Sequence, residues 1–214
     1  QPRIPADLGF YDLTNEEHLS KQIKIARKYD ISGFVIYYYS FQGRRVLEKP
    51  LNLIANADNN INFPFCLCWA NEPWSRRWDG NDHEVLMRQQ YSDATLNSTI
   101  KEFIDYSRSE NYITINGKPL IIIYRHSDID CPNFAEKVRD AFWHAKRQEV
   151  YLAYVESFEH ALIDQDPLDH GFDASIEFPP HGLDLPIQDR TAVPDFTGKI
   201  FSFADVVEYY CNMP

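Results

Sequence analysis

The sequence predicts an α/β protein of the (β/α)8 TIM-barrel type, and three observations carry that reading. Apolar runs such as Phe34-Val35-Ile36-Tyr37-Tyr38-Tyr39 and Pro119-Leu120-Ile121-Ile122-Ile123-Tyr124 show no polar alternation. Such runs mark strands buried on both faces of a parallel sheet. Stretches of helical period alternate with them, the pattern of strands joined by right-handed crossovers. Finally, no Gly-x-Gly-x-x-Gly follows a strand and no Gly-x-x-x-x-Gly-Lys is present, so the nucleotide-binding doubly wound folds lack their phosphate loop. An open α/β sheet is the second choice.

The elements follow in order. Pro2 and Pro5 make the opening an extended lead-in. Thr14-Asn15-Glu16-Glu17 supplies a side-chain cap and then acidic residues in the first turn, a helix start. That helix carries Leu19, Ile23 and Ala26 on one face toward Tyr29. Gly33 leads into the strand over 34–39, and a short helix over 47–56 precedes a strand over 63–69. After a long excursion come a helix over 93–107, an Asn116-Gly117 turn, a strand over 119–124 and a helix over 133–147. Strands over 150–155 and 172–178 and a closing helix over 204–210 complete the series. Only about five strands are visible, so the expectation is an incomplete barrel, with the first strand and the last strands missing. Residues 1–214 read as a single domain and as a fragment of a longer protein, because the chain opens on Gln1 and not on Met.

Bulk composition narrows the function. At 214 residues, with 44% hydrophobic and 25% charged residues, the chain matches an ordinary globular protein. Its net charge of −11 repels phosphate backbones and anionic lipid, which argues against nucleic-acid and membrane-surface partners. No apolar run is long enough to span a bilayer. Cys66 and Cys68 lie two apart in a strand and share a face, which disfavours a disulfide between them. With Cys131 and Cys211 isolated, the four cysteines read as buried reduced thiols of a cytoplasmic protein. Oligomeric state has no signal in the sequence.

In parallel α/β folds, reactive groups gather on the loops after the carboxyl ends of strands. Three of the four tryptophans fall in one such loop, as Trp69, Trp74 and Trp78. Sugars present apolar C–H faces beside rings of hydroxyls, so their sites want flat aromatic platforms next to planar polar groups. Asn71, Glu72, Arg76, Arg77 and Asp79 supply the polar groups. Tyr38, Tyr39, Tyr124, Arg125, Glu156 and His181 extend the candidate substrate-binding set from other strand ends, and His126 is a further hydroxyl-binding candidate. The competing reading is a buried loop with an Arg–Asp pair and core tryptophans. Glycosidic cleavage generally needs two carboxylates, and Glu72 and Glu177 are the candidates. The Asp128-Ile129-Asp130 and Asp164-Gln165-Asp166 sequences fall in acidic loops, where chance explains them. No grouping has convincing metal spacing, so no metal and no cofactor are expected. A Gly-x-Ser-x-Gly elbow is absent, which disfavours a serine hydrolase.

The stretches Leu8-Gly9-Phe10-Tyr11-Asp12-Leu13, Gly33-Phe34, Gly43-Arg44-Arg45-Val46-Leu47-Glu48-Lys49-Pro50, Phe63 through Glu72, Trp74 through Gly80, Gly117-Lys118-Pro119 and Phe178-Pro179-Pro180-His181 together resemble the WbsX-type family. The resemblance covers essentially the whole chain and is most specific from Cys66 to Gly80. The family's name comes from O-antigen polysaccharide gene clusters, where members are described as glycosyltransferases. Its fold resembles the barrel of endo-α-mannosidases, glycoside hydrolase family 99. The resemblance implies a hydrolase-like enzyme of polysaccharide metabolism acting on an O-antigen or mannan-like glycan. Alternatives are an O-antigen glycosyltransferase and a non-catalytic glycan-binding or scaffold domain. In the hydrolase family the two working glutamates lie in a late Asn-Glu-Trp-x-Glu-Gly motif. This chain has no such motif, so no catalytic glutamate is carried over by resemblance.

Overall fold

The computed structural model describes residues 4–6, 8–56, 61–76, 80–157, 166–179, 183, 185–186 and 200–212. It divides into two compact units. The first comprises Gln1–Val155 with Gln165–Ile176, the second Glu156–Asp164 with Glu177–Pro214.

Helix α1 (Glu16–Lys28) starts where the Asn15 side chain accepts from the Glu17 N–H, and it buries Leu19, Ile23 and Ala26. Strand β1 (Phe34–Phe41) turns back through Gln42-Gly43 into β2 (Arg44–Val46), an antiparallel hairpin. Helix α2 (Lys49–Ala55) leads to β3 (Phe65–Trp69), all five of whose residues are buried. The long excursion then resolves into a second antiparallel hairpin, β4 (Trp74–Arg76) with β5 (Asn81–Met87), followed by α3 (Asp93–Tyr106). A third hairpin joins β6 (Thr114–Ile115) to β7 (Lys118–Ile123). Its turn residues Asn116 and Gly117 both have positive φ, 51° and 78°. Asn-Gly tolerates that pair of values and matches the twist of the strands. Helix α4 (Phe134–Lys146), β8 (Tyr151–Glu156), β9 (Ala174–Glu177) and α5 (Phe203–Cys211) complete the chain.

The main sheet has the order β2-β1-β3-β7-β8-β9, and β1, β3, β7 and β8 are mutually parallel along it. Each crossover advances one strand in the same direction, without the reversal that defines a doubly wound sheet. A chain wound one way places its crossover helices on one face. Ring contacts show that face: Phe103 of α3 meets Tyr38 and Trp69, and Phe134 of α4 meets Trp69. Among the described residues the sheet stays open, with β2 and β9 at its ends. The expected α/β class with a parallel sheet holds, and among the described residues the strands form a singly wound open sheet with no closed barrel.

Register assigns side chains to faces. Tyr38, Trp69, Ile123 and Tyr154 stand in one row, and Tyr37, Cys68, Ile122 and Ala153 are in register one residue earlier. Successive residues of a strand point to opposite faces, so the first row faces the helices and the second faces away. The helix side holds the core: Phe65, Leu67, Leu96, Ile100, Phe103, Val138 and Phe142 are buried there or on the helices. On the other face β1 is uncovered, with Val35 57% and Tyr37 40% exposed.

Cys66 and Cys68 are free and buried, and they share the face away from the helices. Burial pushes the Cys66 thiol up to about 12 and raises that of Cys68 further. The expectation of buried thiols fails for Cys211, which is exposed on α5, and for half-buried Cys131. No helix among the described residues is long and apolar enough to cross a membrane.

Candidate functional site

Strand β1, the end of β7 and the hairpin after β3 carry a continuous row of aromatic rings in the first unit. Tyr37 and Tyr39, two apart on β1, share the face away from the helices, with centroids 6.0 Å apart. Tyr124, just past β7, meets Tyr37 edge-on at 6.0 Å and 84°. At the other end, Trp74 stands against Tyr39 at 5.4 Å and against Phe41 at 5.0 Å. The row therefore runs Tyr124–Tyr37–Tyr39–Trp74, from the end of β7 through β1 to the β4–β5 hairpin. Tilted and edge-to-face pairs of this spacing hold one another rigidly.

Charge lies beside the row. Glu72, in the loop after β3, pairs with Arg125, in the loop after β7, at 3.4 Å from Oε1 to Nη1. The second guanidinium nitrogen of Arg125 lies 3.5 Å from the Asp128 carboxylate. Burial raises the Tyr37 and Tyr39 phenols above their ordinary range, and the nearby Cys68 and Glu72 add to the effect. The Glu72 carboxylate thus lies close enough to act on both rings.

Asn71 fixes this geometry. Its side-chain amide donates to the Arg125 carbonyl at 2.7 Å and to the Tyr91 hydroxyl at 3.3 Å. Its Oδ1 accepts from the Arg125 N–H at 2.8 Å, and the Tyr91 hydroxyl donates to the Asn71 carbonyl at 2.7 Å. Both amide donors and the side-chain oxygen are thereby engaged. Asn71 is a fully buried clip between two strand-end loops, and not a sugar ligand as the sequence suggested. Burial pushes the Tyr91 phenol up to about 12, so it remains a neutral donor for this clip.

Two further candidates are corrected by the pleat. Tyr38 and Trp69 are fully buried on the helix side. Tyr38 packs on Phe103 with the Arg45 guanidinium 4.3 Å over its ring, and Arg45 pairs in turn with Glu102. Trp69 is enclosed by Tyr91, Phe103 and Phe134. Neither offers a face to a ligand, so for Trp69 the core-tryptophan reading holds. The residue that the sequence reading passed over is Tyr37; period-2 alternation through the Tyr37-Tyr38-Tyr39 run pairs it with Tyr39.

The other candidates have partners of their own or lie elsewhere in the description. Arg76 pairs across its hairpin with Glu84 at 3.3 Å, at the surface. His126 stacks with Tyr154 at 4.3 Å and with His170 at 4.8 Å, in a cluster closed by Phe172. Glu156, ending β8, and exposed Glu177, ending β9, belong to the second unit. There Glu177 lies near enough to Tyr210 to help raise that phenol, after burial and Tyr209. Arg77, Trp78, Asp79 and His181 lie outside the described residues. Asp128 is drawn to Arg125 while Asp130 is exposed, and no group of three or more candidate metal ligands occurs among the described residues.

The model of the family described as Glycosyltransferase WbsX matches residues 1–213. The chain belongs to the WbsX glycosyltransferase family. Among its relatives are sequences of "Uncharacterized protein WxcX" from two strains of Xanthomonas campestris pv. campestris, each 39% identical over 210 residues. The match takes in 96% of this WbsX-family chain and 30% of each relative, so the chain spans under a third of their length. In three dimensions it is similar to a solved "Glycoside hydrolase-like protein", with a TM-score of 0.54 and 19% identity, over 82% of this chain and 53% of that one. That likeness concerns the fold alone.

Proposed function

We propose that this chain is a single carbohydrate-active domain whose Tyr124–Tyr37–Tyr39–Trp74 row receives the apolar faces of a glycan. The observation that supports it most is the row itself: exposed Tyr37, half-buried Tyr39 and Trp74 and buried Tyr124 in ring contact, with the Glu72–Arg125 pair in the adjoining loops. Glu72 accepts sugar hydroxyls, because a carboxylate held against a guanidinium is an acceptor and a poor proton donor. The reaction we favour is glycoside hydrolysis of an O-antigen or mannan-like polysaccharide. Glu72 and Glu177 remain the candidate carboxylates and Arg76, Arg77, Trp78, Asp79, Glu156 and His181 the candidate accessory contacts.

Isothermal titration of the chain with mannan-derived oligosaccharides tests the binding step. Trp74→Ala is expected to weaken affinity about tenfold, the scale of one aromatic platform contact. Unchanged affinity in a folded Trp74→Ala variant would sink the row as a sugar platform. Release of reducing ends from a mannan and O-antigen panel, lost in Glu72→Gln or Glu177→Gln, tests hydrolysis. The family's description favours a second reading, transfer from an activated donor. That reading expects a measurable heat on titration with nucleotide-sugars or lipid-linked donors, and flat titrations rule it out.

A further inference from the structure

Residues 71–91 leave the parallel sheet after β3 and rejoin the helix layer at α3, and Tyr91 stands where they rejoin it. It immediately precedes Ser92, whose side chain caps α3 by accepting from the Thr95 N–H. Its ring rests against Trp69, the fully buried last residue of β3, at 6.0 Å and 75°. Its hydroxyl reaches the departing end of the excursion, donating to the Asn71 carbonyl at 2.7 Å and accepting from the Asn71 side-chain amide at 3.3 Å. The same Asn71 side chain grips the Arg125 backbone. Between these ends the ribbon has a weak hold of its own. Trp74 pairs with Met87, Ser75 with Val85 and Arg76 with Asn81, and the register slips on both sides of Ser75. Slips of this kind disrupt the ladder locally. The link from Asn71 to Trp74 is short and stiff by contrast: Pro73 has a fixed φ and disfavours helical backbone at Glu72 before it.

We infer that Tyr91 is a positioning residue: its hydroxyl latches the two ends of the 71–91 excursion together and so sets where Trp74 stands against Tyr39 and Phe41. The latch draws its rigidity from the core, because the ring that carries the hydroxyl is braced on Trp69 and its backbone leads straight into the capped start of α3. Its consequence for a sugar rests on the glycan-binding reading above, and the latch itself does not. With the hydroxyl gone, Trp74 is held by a slipped two-stranded pairing, and the end of the aromatic row that it forms loses its fixed place.

Tyr91→Phe removes the hydroxyl and keeps the ring against Trp69. In this variant, with fold checked by circular dichroism, hydrogen exchange is expected to run about tenfold faster at the β4, β5 and Arg125 amides, the scale of one or two lost hydrogen bonds. Exchange in β3 and β7 should stay within about twofold of the unmodified chain. In titrations with mannan-derived oligosaccharides, Tyr91→Phe should weaken affinity about threefold or more, and should cost under about twofold further once Trp74 is alanine, because both residues act through one contact. The unmodified chain gives a reading without any variant: the Arg125 amide, held by the latched Asn71, should exchange more slowly than the ribbon amides. An Arg125 amide as fast as the ribbon overturns the latch, as does unchanged ribbon exchange in folded Tyr91→Phe. Acceleration spread equally over β3 and β7 overturns it too, since Tyr91 would then serve the core alone. Affinity losses that add fully across Tyr91→Phe and Trp74→Ala overturn the positioning of Trp74. Failure of the unmodified chain to bind any of these sugars overturns the glycan reading and leaves the exchange rates to decide the latch.

Discussion

Tyr38 and its neighbours Tyr37 and Tyr39 share a strand and a side chain, and differ in the face to which the pleat assigns them. Tyr38 is sealed against α3, roofed by Arg45, and belongs to the core. Tyr37 and Tyr39 face away from the helices and enter a row of rings with partly exposed faces. Trp69 and Trp74 repeat the contrast on β3 and the hairpin after it. The first is enclosed by three rings from the helix layer, and the second stands at the end of the row. Aromatic type therefore does not separate the enclosed rings from the accessible ones; on β1 the parity of a residue's position does.

Substitution at the two tryptophans tests that contrast most directly. Trp69→Ala should cost about 3–5 kcal/mol, the range for emptying a large core site. Trp74→Ala should cost no more than about 1 kcal/mol, with its effect appearing in glycan affinity. Urea denaturation of both variants checks the ordering, and equal losses would dissolve the distinction between the faces. Asn71→Ala comes next, at about 1–3 kcal/mol, because it removes the side-chain partners of the part-buried N–H and C=O of Arg125. Denaturation together with glycan titration should show stability and affinity falling together, since Asn71 serves the fold and aligns Arg125 for the site.

Raised pH gives a smaller and more diffuse effect on the same comparison. Burial raises the phenols of Tyr38, Tyr91 and Tyr112 above the ordinary tyrosine range near 10, Tyr91 to about 12. The folded chain therefore holds these protons where the unfolded chain has released them. Their contribution is intact below pH 10 and is lost as pH rises toward and past 12. Thermal melts across that window should show a falling Tm, and Tyr91→Phe should soften the decline. A Tm independent of pH above 10 would mean that these phenols are open to solvent. The smallest effect belongs to the surface: Arg76→Ala removes an exposed pair with Glu84 and should change stability by less than about 1 kcal/mol. A larger loss in urea denaturation would show that the hairpin depends on that pair.

These contrasts explain what the sequence made legible. Helix α1 could be placed from its cap and from Leu19, Ile23 and Ala26, because one face meets water and the other does not. Strands β3 and β7 stood out because both faces are buried and the runs are continuous. The same continuity concealed side-chain direction: a strand without polar residues leaves only absolute register to say that Tyr38 and Trp69 turn toward the helices. The hairpin of β4 and β5 was missed for the opposite reason. Its strands are largely exposed, polar residues at the start of β5 give way to apolar ones at its end, and bulges interrupt the pairing, so no period survives in Asn-Asp-His-Glu-Val-Leu-Met. Asn71 looked like a ligand because its residue type suits sugars, and its clip spans 54 positions of sequence that no local pattern connects.

The hairpin that carries Trp74 gives the site two clocks. Tyr37 and Tyr124 are mounted on and beside strands of the parallel sheet, which open only when the surrounding core opens. Trp74 is mounted on a two-stranded ribbon outside that sheet, an architecture of marginal stability by itself. Its amides should exchange with solvent well ahead of those in β3 and β7. A ligand lying along the row would then rest on a firmly held end at Tyr124 and Tyr37 and on a more readily exchanging one at Trp74.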